Sequence, residues 1–79
     1  MEDELIGSIK LFAGNFIPQG YMECNGQSLP ITQNEALYSL LGITYGGDNQ
    51  TQFSLPKLQS PIVGMRYIIC VQGVYPSRQ

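Results

Sequence analysis

The spacing of apolar residues changes once along this chain. From Leu5 to Ala13 (LIGSIKLFA) it alternates, with Ile9, Leu11 and Ala13 on one side and Ser8, Lys10 and Phe12 on the other. That period of two predicts a strand. Thr51 to Leu55 alternates in the same way and puts Phe53 and Leu55 together. Tyr67 to Val71 (YIICV) is an unbroken apolar run of strand length, which predicts a strand buried on both faces. Between these segments stands the exception. Ala36, Leu37, Leu40 and Leu41 recur at helical spacing, the apolar stripe of a surface helix.

Turn residues set the limits of these elements. Asn25-Gly26 separates Tyr21–Cys24 from Gln27–Leu29, and an Asn-Gly pair is the strongest short hairpin signal. The segment therefore reads as a hairpin that Pro30 ends. Thr32-Gln33-Asn34-Glu35 has the form of a capping box, in which the Thr hydroxyl takes a free amide and Glu35 reaches back. Gly42 supplies a left-handed stop. The reading is one main helix over about 32–41, whose cap at Thr32 contributes about 1 kcal/mol. A helix this short does not persist in water unless it packs on something. Its stripe is expected to cover a face of the sheet. Gly46-Gly47-Asp48-Asn49 forms a turn, Pro56 closes the strand after it, and QSPIVG (59–64) reads as a further short extended piece. The expected fold is α+β: a small β-rich domain of short strands with one helix, a single unit over 1–79.

Length and charge narrow the picture. Seventy-nine residues bury only about 60–65% of the surface that the unfolded chain exposes, so the core of such a chain is marginal alone. Small folds of this kind usually add disulfides, a metal or partners. Charged residues make up 13%, about half the usual share, and Gln, Asn, Ser and Thr outnumber them two to one. A neutral polar surface suits packing against copies of itself or against sugars. It does not suit nucleic acid, which requires clustered cations. Three of the six acids lie in Glu2-Asp3-Glu4, and the remainder of the chain carries four bases against three acids. Residues 1–4 read as a solvated acidic start. No apolar stretch approaches a membrane span.

Candidate chemistry is sparse. There is no His to activate a nucleophile or to complete a zinc set with Cys24 and Cys70. The two cysteines read as small buried hydrophobes held reduced, with a disulfide between their strands as the alternative. No paired carboxylates and no phosphate-cradling loop occur, so an enzyme, a metal site and a cofactor are not expected. Tyr45, Asp48 and Asn49 form the candidate ligand-facing loop. Asp48 with backbone carbonyls is thin for a calcium ion, and the plain reading is a turn. Tyr21, Tyr45, Tyr67 and Tyr75 could stack on sugar rings, and the alternative is that they are half-buried wedges with a wet hydroxyl.

Taken in order, the segments resemble a known family. Phe12-Ala13-Gly14, Gly20-Tyr21, Cys24-Asn25-Gly26-Gln27 and Leu29-Pro30-Ile31 come first. Asn34, Ala36-Leu37-Tyr38, Leu40-Leu41-Gly42, Thr44 to Asp48 and Phe53 to Leu58 follow. Together they resemble the phage tail collar family, found in short tail fibres and in microcystin-dependent-type proteins. Each piece alone is weak, but that many in order are specific. Gln59-Ser60 departs from the usual arginine-glycine pair, and the variable segment of longer members is absent before Tyr67. The resemblance implies a non-catalytic structural or assembly component of a phage tail, tail fibre or related contractile apparatus. Such a component is made in the bacterial cytoplasm and resides in the virion tail. Its implied partners are copies of itself in a homotrimer and other tail or baseplate proteins, with no nucleic acid and no membrane insertion. Phe12, Ile68 and Tyr75 are the candidate interface residues. The alternative, from composition, is a small carbohydrate-binding module that reads a host surface glycan.

Overall fold

A computed structural model describes residues 4–76. The strands are β1 (Ile9–Ala13), β2 (Tyr21–Glu23), β3 (Ser28–Pro30), β4 (Gln52–Ser54) and β5 (Met65–Cys70). A 3-10 turn (Ile31–Gln33) leads into one helix, α1 (Glu35–Leu41). The strands form two antiparallel sheets, one ordered β1-β5-β2 and the other pairing β3 with β4. The α+β expectation holds. Of the acidic start, only Glu4 falls within the described residues.

β5 is the centre of the larger sheet, which explains its unbroken apolar character. Ile68, Ile69 and Cys70 are all fully buried. Directly paired residues share a face, so Ile69 sides with Ile9 and Met22, while Ile68 sides with Lys10 and Glu23. The Ile69 face packs into the main core with Ile6, Cys24, Leu29, Leu37, Phe53 and Leu55. The opposite face is covered by side chains of its own sheet. The Lys10 ammonium lies 4.9 Å from the centre of the Tyr21 ring, and Arg66 pairs with Glu23 at 3.6 Å. Long polar side chains shield apolar surface with their stems in this way. Both cysteines are buried and free, and burial pushes their thiols up from the ordinary value.

The expected hairpin does not form. β2 pairs with β5, whereas β3 pairs with β4. The chain from Tyr21 to Pro30 is instead one bent ribbon that passes from the first sheet to the second. At the bend Cys24 N–H donates to the Tyr67 carbonyl, and the Cys24 carbonyl accepts from Leu58. Asn25 bridges Lys57, Gly26 donates to the Pro56 carbonyl, and Leu55 donates to that of Gln27. A two-residue hairpin of the expected type needs positive φ at both central positions. Only Gly26 has it, at 77°; Asn49 is the sole non-glycine residue with positive φ among the described residues. The Asn25-Gly26 pair therefore makes a bend rather than a reversal.

The start of the helix also differs. The capping box is not used, because neither helical segment has a side-chain cap. Thr32 lies in the 3-10 turn, and Asn34 precedes α1. The Asn34 amide donates back to the Pro30 carbonyl at 3.0 Å. The short β3–β4 pairing explains the change: Ile31 N–H is still tied to the Thr51 carbonyl, so a 3-10 turn intervenes before α1. The stop is as expected, with Gly42 N–H donating to the Tyr38 carbonyl at 2.7 Å. Leu37 is buried, Ala36 and Leu41 pack on the core, and Leu40 stays partly exposed.

Two strand limits shift as well. β1 begins at Ile9, and Leu5 forms an isolated parallel bridge with Val74. QSPIVG is not extended: it bends at Pro61–Ile62 and turns at Val63–Gly64. Ser60 Oγ secures the bend by accepting from Ile62 N–H at 3.0 Å.

Candidate functional site

The Tyr45–Gln52 loop is built around one carboxylate. Asp48 Oδ1 accepts from the backbone amides of Gln50, Thr51 and Gln52 at 2.9, 2.8 and 3.0 Å. Its Oδ2 accepts from the Thr51 hydroxyl at 2.7 Å. The Gln50 and Gln52 amides, then Thr51, hold this carboxyl well below the usual carboxylate range, since hydrogen bonds to the charged form favour it. Asn49, at φ 63°, accepts from the Tyr38 hydroxyl. Tyr38 in turn packs against Phe53, with ring centres 5.5 Å apart. The loop is thus a rigid turn tied to the helix and the core. Among the described residues no three metal-ligating side chains come together.

Gly47 is the residue this turn cannot replace. Its φ is 123°, and a Cβ there would lie 2.5 Å from the Gln52 carbonyl oxygen and 2.6 Å from Phe53 Cα. The backbone doubles back against β4 at a distance that only glycine permits. Of the candidate loop residues, Tyr45 presents a half-exposed ring, and Asp48 and Asn49 are exposed but engaged within the loop.

The tyrosines divide between solvent and core. Tyr67 packs on the core. The Tyr21 hydroxyl is buried beside Lys10 and Glu4, and desolvation, ahead of these neighbours, raises its pKa. Tyr75 is half exposed, and its hydroxyl meets that of Ser39 on α1 at 2.7 Å. Ile68 is enclosed within the single chain, whereas Phe12 is half-buried.

Two surface features were not evident from the sequence. The first is an apolar tip. Ala13 pairs with Met65, so the loops after β1 and before β5 lie at the same end of the sheet. These loops carry Phe16, Ile62 and Val63, with Val63 fully exposed. Phe16 meets Phe12 edge-on at 5.9 Å. The second is a polar groove of about 450 Å³, lined by Glu23, Asn25, Lys57, Gln59, Met65 and Arg66 among others. Its residues come from three separate segments, which the bend at Asn25 and the start of β5 bring together. No local motif marks it.

Among the described residues no helix is long and apolar enough to cross a membrane. A search of the curated proteins finds no match. The family model described as Phage Tail Collar Domain matches residues 7–63. The match spans β1 through β4, both sheets' crossing point and the Asp48 turn, and most of the chain's length. This chain therefore belongs to the phage tail collar domain family, a structural family of tail fibres.

Proposed function

We propose that this chain is a non-catalytic assembly component of a phage tail, tail fibre or related contractile apparatus, working as a homotrimer beside other tail or baseplate proteins. The family match over 7–63 carries the reading. The exposed apolar tip supports it, because Phe16, Ile62 and Val63 are apolar side chains left half or more exposed by the chain itself. A patch of this kind on a small domain marks an interaction surface. The subunit number rests on the family resemblance. Phe12, next to Phe16, and half-exposed Tyr75 are the contact residues of this reading; Ile68, expected among them, is fully buried within the single chain and so cannot meet a neighbour. Residence in the virion tail and a part in host attachment follow from the same assignment.

The test is analytical ultracentrifugation at micromolar concentration, with melting followed across a concentration series. A trimer whose melting temperature rises with concentration is expected, because assembly and folding are coupled by mass action. A monomer with a concentration-independent melting temperature would overturn it. Half-exposed Tyr45 on its rigid turn favours a second reading, a module that binds a host glycan. Saturable binding on a glycan array by the isolated chain would support that reading.

A further inference from the structure

We infer that the polar groove is a binding site for an acidic sugar, a saccharide ring that carries a carboxylate. Its volume of about 450 Å³ is within the range of small-molecule sites. Two cations line it, Lys57 and Arg66, together with the carboxamides of Asn25 and Gln59 and one carboxylate, Glu23. Lys57 makes no ion pair among the described residues, and Arg66 meets Glu23 at 3.6 Å across a partly exposed contact. Pairs of that kind contribute little, so the guanidinium can turn to an incoming carboxylate at small cost. At Asn25 it is the backbone amide, not the side chain, that bonds Gln27, which leaves the carboxamide for a ligand. The mixture of groups selects the ligand class. A bare anion would use the cations and be repelled by Glu23, and a neutral sugar would leave the Lys57 ammonium without a counter-charge. A sugar acid engages every group. Its carboxylate faces Lys57 and Arg66, while its hydroxyls donate to Glu23 and exchange hydrogen bonds with the two carboxamides. Leu58 and Met65 add apolar lining for the C–H face of a ring.

The walls of the groove stand in place without a ligand. Glu23 is paired to Ile68, and Arg66 to Phe12, in the larger sheet. Asn25 and Lys57 are direct bridge partners, and directly paired residues share a face. Gly26 lets the lysine stem lie close over the bend: a Cβ there would meet Lys57 Cβ at 3.3 Å and Cδ at 3.6 Å. The Ser60 hydroxyl donates to the Ile62 carbonyl at 2.9 Å and accepts from its N–H at 3.0 Å, which holds the chain beside Gln59. Little ordering is left for binding to bring about, and a preorganised site gains affinity by that saving. The inference stands on the groove alone and requires neither the trimer nor a sugar at Tyr45.

Titration of the isotope-labelled full chain with glucuronate, followed by the magnetic resonances of its backbone amides, tests the inference. The amides of Glu23, Asn25, Lys57, Gln59 and Arg66 should shift and saturate in the millimolar range. Glucose, which lacks the carboxylate, and acetate, which lacks the ring, should each bind about tenfold more weakly or worse. Lys57→Gln and Arg66→Gln should each weaken glucuronate by about tenfold. The amide spectrum of each variant reports its folding, and exposed Lys57 keeps the test in hand where the change at Arg66 disturbs the sheet. Raising the salt from about 0.05 M to about 0.5 M should weaken glucuronate binding to the unaltered chain. No saturable shift with glucuronate, equal binding of glucose or acetate, shifts centred on Tyr45–Asn49, or full affinity in Lys57→Gln would each overturn the inference. Subunit number does not enter these readouts, so the assembly reading is judged separately by ultracentrifugation.

Discussion

Replacing Gly47 with Ala puts a methyl group where the backbone of β4 already stands. The new Cβ would meet the Gln52 carbonyl oxygen at 2.5 Å and Phe53 Cα at 2.6 Å, at a φ of 123°. Both obstacles are backbone atoms and cannot swing aside. A side chain held in a φ region natural only to glycine costs about 1–3 kcal/mol. Forced overlap in a packed region adds about 1–3 kcal/mol. Alanine regains about 0.4–1 kcal/mol by restricting the unfolded chain. The net loss is about 1–6 kcal/mol. A domain of this length has a total stability of about 4–12 kcal/mol, so the variant should be close to unfolding. Gly64→Ala is the control. Its φ is 89°, yet among the described residues nothing lies within 4 Å of a Cβ there, so it should lose only the backbone part. Urea denaturation at fixed protein concentration, followed by far-ultraviolet circular dichroism, reads both. With a slope of about 1 kcal/mol per molar, Gly47→Ala should lower the midpoint by about 1 M or more, and by more than Gly64→Ala does. Gly64→Ala should shift it by about 1–2 M. Equal shifts in the two variants, or a Gly47→Ala midpoint within about 0.5 M of the wild type, would refute the close approach.

The remaining predictions concern the Asp48 turn and the helix entry. Asp48 has a folded pKa below its unfolded value. Its contribution is therefore present above the ordinary aspartate value of about 3.9 and is lost as pH falls below it. Midpoints of Asp48→Asn measured from neutral to acid pH should be lower than the wild type at neutrality and should converge on it in acid; parallel curves would exclude the carboxylate as the cause. Thr32→Ala should change stability by less than about 0.5 kcal/mol, because no cap is lost, whereas Asn34→Ala should cost about 0.5–1.5 kcal/mol through its bond to the Pro30 carbonyl. Urea midpoints in the reverse order would reinstate Thr32 as the cap.

The order of elements and most of the core were legible in the residue pattern. Phe53 and Leu55 show their shared face through simple alternation, and YIICV shows central burial by having no polar position to spare. Gly42 ends the helix through chemistry contained within one turn. Partner choice was not legible. Asn25-Gly26 proposes a local reversal, but the outcome depends on Leu55–Leu58, some thirty residues away along the chain, whose carbonyls and amides compete for the same backbone. Thr32 and Asn34 are both competent to precede a helix. The choice falls to Asn34 because the tie from Ile31 to Thr51 holds the preceding turn in place. At the surface, the Asp48 turn was readable because its partners are its near neighbours. The groove was not, since Glu23, Lys57 and Arg66 meet only after both sheets have formed.

The clasp between the two ends of the described chain has a mechanical consequence. Leu5 and Val74 bridge in parallel, with Ile6 N–H bonded to the Val74 carbonyl and Val74 N–H to that of Glu4, each at 2.9 Å. Tension carried in through Glu4 and out through Pro76 pulls these parallel segments in opposite senses along their length. Both bonds then bear the force at once, in shear. An antiparallel pairing of the ends would open like a zipper, one bond after another. A domain held in this way resists being drawn out by its ends, and the load reaches the sheets only after both bonds fail together.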